Sequence, residues 1–226
     1  APGAGWWPRP RTVPQHEANA HWIVVQCSTG GMYQATLMTT CRTRAQTQVC
    51  TPSNPSPDGD RATWPFEITF DGGARCIGDH RVAGAGATLW QHCPTDLPRC
   101  IAQAVVALPA CDNAQLAEAV GCRIALQTLT QLTQLTPDRR AARVVGDNLA
   151  VIRYCAGSAR MRRPHLQAQL ELGLRHVLQQ GWHLTWQAVR RRLNRAADAL
   201  ATEGLQWAAQ LRHLGDLEMR VRVSWL

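Results

Sequence analysis

The sequence predicts an α/β domain over residues 66–208, in which a mixed sheet is flanked by helices. Segments that alternate apolar and polar residues, as strands do, are followed by segments with apolar residues at helical spacing. Their order along the chain is β-β-β-α-β-α-α-β-α. Hydrophobic residues make up 45% and charged residues 18% of the 226 residues, so the chain can bury enough apolar surface for one core.

The first part of this domain is predicted to be three strands joined by turns. Residues 66–71 alternate with period two and meet a turn signal at Gly72 and Gly73. Residues 82–90 and 101–108 are the next two extended segments, and a proline-bounded loop separates them. Successive strands joined by short turns predict an antiparallel meander.

The second part alternates helices and strands. Leu116, Val120, Ile124 and Leu129 recur at helical spacing behind a capping residue, Asp112 or Asn113. A short fourth strand is predicted at residues 143–147, and a brief helix at 148–155 and a longer helix at 164–180 follow it. A fifth strand at 183–189 and a last helix at 193–209 come next.

Residues 1–65 and 209–226 lie outside the predicted domain. The first stretch is rich in Pro, Gly, Ser and Thr, and it predicts an irregular N-terminal extension of unknown function with a linker at residues 51–60. Within it, residues 22–26 and 32–38 are candidates for short strands. The last 18 residues are expected to be a C-terminal tail.

The charge of the chain indicates the kind of partner, and the cysteine spacing indicates the cellular environment. All 24 cationic side chains are arginines, against 16 acidic ones. Arginine presents a planar fork of donors that matches phosphate oxygens, so the excess indicates a polyanionic partner, although coding bias explains the lack of lysine equally well. The nine cysteines include no C-x-x-C pair, so they do not predict a zinc site and instead suit a reducing compartment.

The ends of the chain and its apolar runs bear on location. No apolar run reaches the roughly 20 residues needed to span a bilayer, so we expect no membrane partner. The chain begins with Ala1 and not with methionine, which indicates a piece of a longer product. We expect an intracellular location, without distinguishing nucleus from cytoplasm, and the oligomeric state is open.

Four acidic residues occupy positions where a packed domain makes a carboxylate costly. Asp71 ends the first strand, Glu118 lies within an amphipathic helix, Asp147 ends the fourth strand, and Asp198 lies in the alanine-rich last helix. Cutting a phosphodiester requires an activated water and relief of the charge on the phosphate, and divalent ions held by carboxylates provide both. The four acids therefore predict a metal site, with their carboxylates meeting at one edge of the sheet.

Taken alone, three of these acids have ordinary explanations. Asp71 before two glycines suits a strand-ending turn, Glu118 suits a solvated helix position, and Asp147 suits a helix cap. Asp198 is harder to explain by structure alone, because aspartate is a poor helix former.

Four fragments resemble the type 1 ribonuclease H domain in its reverse-transcriptase-associated form. They are Phe70-Asp-Gly-Gly-Ala-Arg75 with Ala83-Gly-Ala-Gly-Ala-Thr-Leu89, Ala117-Glu-Ala119, Val145-Gly-Asp-Asn-Leu149, and Leu193-Asn-Arg-Ala-Ala-Asp-Ala-Leu-Ala201. Their order and spacing match the family over roughly 140 residues. The resemblance implies a ribonuclease H-like fold, with a five-stranded mixed sheet of three antiparallel strands and then two parallel ones.

The resemblance also implies a function. Asp71, Glu118, Asp147 and Asp198 would bind two Mg²⁺ ions, with Mn²⁺ as an alternative, and the enzyme would cleave the RNA strand of an RNA–DNA hybrid to leave 5′-phosphate ends. The implied partner is a reverse transcriptase domain in the same retroelement polyprotein. Contacts to nucleic acid are expected at seven residues, namely Gly72, Asn148, Arg190, Arg191, Arg192, Asn194 and Arg195. A solvated surface is the plainer explanation of the arginine run.

One position departs from the family pattern. Many members carry a histidine ten residues before the last acid, where this chain has Ala188, and the nearest histidine is His183. Because the metal ligands are retained, we expect slower turnover and not a complete loss of activity. The departure keeps an alternative open, a non-catalytic nucleic-acid-binding module that retains the ribonuclease H fold. An integrase-like or exonuclease relative fits the spacing of the acids less well.

Overall fold

A computed structural model of the chain describes residues 64–93, 95–134 and 140–226, together with the backbone of two strands at 20–27 and 33–37. The predicted linker at residues 51–60 lies outside these described residues. No helix in the described ranges is both long enough and apolar enough to cross a membrane.

Strands and helices alternate largely as the periodicity predicts. The strands are β1 (Ala20–Cys27), β2 (Tyr33–Leu37), β3 (Phe66–Ile77), β4 (His80–Gln91), β5 (Arg99–Leu108), β6 (Ala141–Gly146), β7 (His183–Ala188) and β8 (Arg220–Trp225). The α-helices are α1 (Ala114–Thr130), α2 (Leu149–Cys155), α3 (Pro164–Gln179) and α4 (Arg195–His213). A short 3-10 turn, Arg191–Leu193, leads into α4.

All eight strands belong to one sheet in the order β2-β1-β8-β5-β4-β3-β6-β7. β4 pairs antiparallel with β3 and β5, whereas β6 pairs parallel with β3 and β7. This arrangement confirms the predicted ribonuclease H-like fold, with its meander of three strands followed by two parallel strands.

The five predicted strands are present as β3 to β7, but the sheet also extends beyond them. β8 pairs antiparallel with the outer edge of β5, β1 pairs with β8, and β2 pairs with β1. An uncovered β5 would expose a row of unpaired backbone groups, which β8 satisfies. The missed signal was the alternation of residues 220–223, in which Val221 and Val223 are buried while the arginines between them are half-buried. The segment expected to be a tail thus contributes to the sheet.

Gly72 and Gly73 do not end the first strand, contrary to the predicted turn. β3 continues to Ile77, and the hairpin turns at Gly78, whose φ is 59°. Gly72 instead lets α1 approach the sheet, because a Cβ atom there would lie 2.3 Å from the carbonyl carbon of Ala117. A side chain at position 72 would therefore push the helix away from the strand.

α1 and α4 pack on opposite faces of the sheet. Gly72 faces α1, whereas a Cβ at Gly86 would lie 2.5 Å from the backbone nitrogen of Ala201 in α4. Asp71 is the register partner of Gly86, so its side chain leaves β3 on the α4 side, while Glu118 comes from α1. The sheet edge near Asp71 is thus reached by acids from both faces.

We expect Gly72→Ala to destabilise the fold by about 1–3 kcal/mol, because backbone atoms of α1 occupy the space that a Cβ needs. Gly73→Ala is the matched control, since nothing lies within 4 Å of a Cβ at that position. Urea unfolding of both variants measures the difference. Equal stability of the two variants would show that α1 moves without cost.

Candidate metal centre

The parallel pairing of β3 with β6 brings two acids side by side. Their register runs from Phe66 opposite Ala142 to Phe70 opposite Gly146, and there it stops. Asp71 and Asp147 are the next residues of the two strands. Because the two strands run parallel and in register, this pairing places the two aspartates side by side where β6 ends.

Glu118 of α1 joins these two acids. Gly72 allows the backbone of α1 at Ala117 and Glu118 to lie against β3, and the Glu118 residue is 9% exposed. Carboxylate oxygens of Asp71, Glu118 and Asp147 all lie within 4.8 Å of one another. We call these three residues the three-acid cluster.

The three-acid cluster has little compensating charge, and two of its oxygens lack hydrogen bonds. Glu118 Oε2 and Asp147 Oδ1 are buried without a hydrogen-bond partner. Burial, reinforced by the charges of Asp71 and Asp147, raises the pKa of Glu118 to about 9. Burial, with the charges of Asp147 and Asp198, raises the pKa of Asp71 to about 7. Unpartnered oxygens of mutually repelling carboxyl groups fit a divalent cation, which prefers hard oxygen ligands.

Asn148 leaves Asp147 free for this role. The sequence suggested Asp147 as a helix cap, but the Asn148 side chain caps α2 by accepting from the backbone N–H groups of Ala150 and Val151 at 3.1 and 3.2 Å. The Asn148 side chain also hydrogen-bonds Glu118, which favours the charged carboxylate. Whether Asn148 also contacts nucleic acid stays a prediction.

Asp198 stands next to the three-acid cluster. It shares a side-chain hydrogen bond with Asp71, so all four predicted acids meet at this edge of the sheet. Its Oδ1 accepts from Nη2 and Nε of Arg191 at 2.5 and 3.1 Å. A guanidinium therefore already neutralises the fourth acid.

Asn194 is buried and links α4 to the sheet, and its predicted contact with nucleic acid stays a prediction. It is 2% exposed, and its Nδ2 donates to the Phe70 carbonyl oxygen at 2.7 Å. The bond ties the start of α4 to the strand residue before Asp71, with Asp198 one helical turn further on. Gly72 is likewise buried, and its role is the close packing of α1.

The sequence analysis missed an ion pair that supports the site. Glu67 of β3 is fully buried and pairs with Arg143, its register partner on β6. The pair crosses the same two strands that carry Asp71 and lead to Asp147. A slip of one residue would separate Arg143 from Glu67, so the pair helps to fix the register.

The remaining predicted residues surround this edge. Arg190, Arg192 and Arg195 are exposed on the turn into α4. Ala188 ends β7 opposite Gly146, so the position where relatives carry histidine does lie beside the site. His183 begins the same strand, roughly 16 Å away along β7, and is too distant to replace that histidine.

Comparisons with known proteins agree with this architecture. The model of the reverse transcriptase-like family matches residues 69–204. A ribonuclease H1 isolated from compost by a metagenomic approach is 20% identical with a TM-score of 0.50, over 65% of this chain and 99% of its own. No curated protein matches the chain.

Two further solved structures show weaker likeness. The N-terminal ribonuclease H domain of a Mycobacterium tuberculosis protein is 20% identical with a TM-score of 0.46, over 64% of this chain and 96% of its own. The foamy viral protease-reverse transcriptase, solved in complex with an RNA/DNA hybrid, is 14% identical with a TM-score of 0.48, over 74% of this chain and 24% of its own.

We expect the metal-free protein to lose stability as pH rises. The pKa of Glu118 is about 9 when folded against 4.5 as the ordinary value, so the folded state keeps a proton that the unfolded state releases. The contribution of Glu118 to stability is complete below pH 4.5 and falls as pH rises toward 9, by on the order of 3 kcal/mol at pH 7.

Denaturant unfolding at pH 5 and pH 8 in chelator tests this expectation. Glu118→Gln should flatten the pH dependence, whereas Asp79→Asn, at an exposed turn residue, should leave it unchanged. A metal-free parent that becomes more stable between these two pH values would contradict the electrostatics described above.

Proposed function

Because the chain belongs to the reverse transcriptase-like family, within the ribonuclease H-like superfamily, we propose that it is a metal-dependent ribonuclease H that cleaves the RNA strand of RNA–DNA hybrids. One observation carries the proposal. Three carboxyl groups meet where the parallel pairing of β3 with β6 stops, and two of them keep buried oxygens without partners. Such a group is costly for a fold unless it binds a cation.

The donor set fits Mg²⁺, with Mn²⁺ as an alternative. Asp71, Glu118 and Asp147 would hold the first ion, and Asp198 beside Asp71 would contribute to a second. When bound, the ions supply an activated water and neutralise the charge that develops on the scissile phosphate. The proposed products carry 3′-hydroxyl and 5′-phosphate ends.

The protein's own contribution is to fix these ligands before substrate arrives. Asn194 holds α4 to the backbone of Phe70, and Asn148 bonds to Glu118 while capping α2. The sheet register holds Asp71 beside Asp147. A site whose ligands are held in place loses little entropy when the cation binds.

Substrate binding would depend on arginine. The chain carries a formal net charge of +8, and Arg190, Arg192 and Arg195 are exposed near the acids. Contacts to phosphates place a duplex without reading its sequence, and 2′-hydroxyl groups distinguish RNA from DNA. We also propose that a reverse transcriptase domain accompanies this domain in one polyprotein inside the cell.

Asp71→Asn is expected to lower the rate of hybrid cleavage by at least about 100-fold. The substitution removes the charge of the acid that lies beside Asp198 and beside the other two members of the three-acid cluster. Hybrid affinity should stay within about threefold, since phosphate contacts dominate it. A labelled hybrid with Mg²⁺ measures cleavage, and fluorescence anisotropy measures binding.

Asp79→Asn is the control for the loss of one carboxylate at an exposed residue. Cleavage at the parental rate by Asp71→Asn would remove Asp71 from the active site. A parent protein that binds hybrid but never cuts it would identify a non-catalytic binding module instead.

Replacing Arg190, Arg192 and Arg195 together by alanine is expected to weaken hybrid binding and flatten its salt dependence. Each lost phosphate contact should reduce the slope of log affinity against log salt by about 0.9. Arg99→Ala is the control, because Arg99 is exposed and pairs with Gln91 at the opposite end of the β4–β5 pair from the acids. An unchanged slope in the triple variant would place the duplex elsewhere.

A further inference from the structure

Arg191 differs from the arginines around it. Arg190, Arg191, Arg192 and Arg195 are all exposed, but the Arg191 guanidinium contacts Asp198 Oδ1 through two nitrogens, at 2.5 and 3.1 Å. Asp198 in turn hydrogen-bonds Asp71, and the positive charge of Arg191 acts to lower the pKa of both Asp71 and Glu118. The charges of Asp71 and Asp147 also act on Arg191.

This contact occupies one of the two oxygens of a carboxylate that a second cation would need. A carboxylate oxygen that accepts two N–H donors has few lone pairs left for a metal ion. A divalent ion placed between Asp71 and Asp198 would also be repelled by the adjacent guanidinium. The three-acid cluster on the other side of Asp71 keeps two buried oxygens without partners, so it is open to an ion at once.

We propose that Arg191 competes with a divalent cation for Asp198, so that the acidic centre fills in two steps. The proposal rests on the proposed function. The first ion enters the three-acid cluster, and a second binds only when the guanidinium leaves Asp198. Arg191 is able to leave, because its side chain is 64% exposed and begins in a short turn outside α4.

The size of the effect follows from the exposure of the pair. Solvent-exposed ion pairs are weak, so the competition should change cation affinity about two- to fivefold and not by orders of magnitude. A purely structural pair, which only anchors the turn to α4, would alter the stability of the fold and leave cation affinity unchanged. Cation titration therefore separates the two roles.

The test is a calorimetric titration of the full chain with Mn²⁺, without nucleic acid. The parent should show one tighter and one weaker site. Arg191→Ala should tighten the weaker site about two- to fivefold and change the tighter site less. Arg192→Ala removes the same charge from the adjacent exposed residue, and it should change the weaker site less than Arg191→Ala does.

Asp198→Asn completes the design. It should abolish the weaker site, and adding Arg191→Ala to it should have no further effect on Mn²⁺ affinity. A weaker site that is equally strong in the parent and in Arg191→Ala would overturn the competition while leaving the metal centre standing. A parent that binds no Mn²⁺ at all would contradict the proposed function itself. Thermal unfolding of each variant checks that the variant is folded.

Discussion

The in-register parallel pairing of β3 with β6 is the constraint on which the site depends. It ends at Phe70 opposite Gly146 and leaves an aspartate as the next residue of each strand. Like charges at this spacing repel each other, and burial increases the repulsion by excluding water. The fold must therefore hold two carboxyl groups close together, which lowers its stability when no cation is bound. Contacts between neighbouring residues keep the two groups in place.

Those contacts hold the acids by means that do not neutralise them. Glu67 pairs with Arg143 four residues earlier on the same two strands, and Asn194 binds the backbone of Phe70 without contacting a carboxylate. Gly72 brings α1 close enough for Glu118 to reach the edge of the sheet. The stability lost at the acids is thus offset by packing and pairing nearby, which is common where a site is built for a ligand.

Charge compensation is uneven among the four acids. The three-acid cluster keeps unpartnered oxygens, whereas Asp198 is paired with Arg191. The two parts also differ in burial, since Glu118 is nearly inaccessible and the Asp198 side chain is 35% exposed. A cation gains more from meeting desolvated, unpaired carboxylates than from displacing an existing ion pair in water. The geometry therefore favours cation binding at the three-acid cluster over cation binding at Asp198.

The sequence by itself determined the alternation of strands and helices and the four acids, because strand and helix periodicities and costly carboxylates are local properties of the chain. Tertiary structure alone decided what the neighbours of these acids do. The burial of Asn194 and Gly72 could not be predicted, since burial depends on which helix packs against which strand. The partners of Arg143 and Arg191, and the place of β8 beside β5, join segments far apart or on different elements, and no local pattern encodes such contacts.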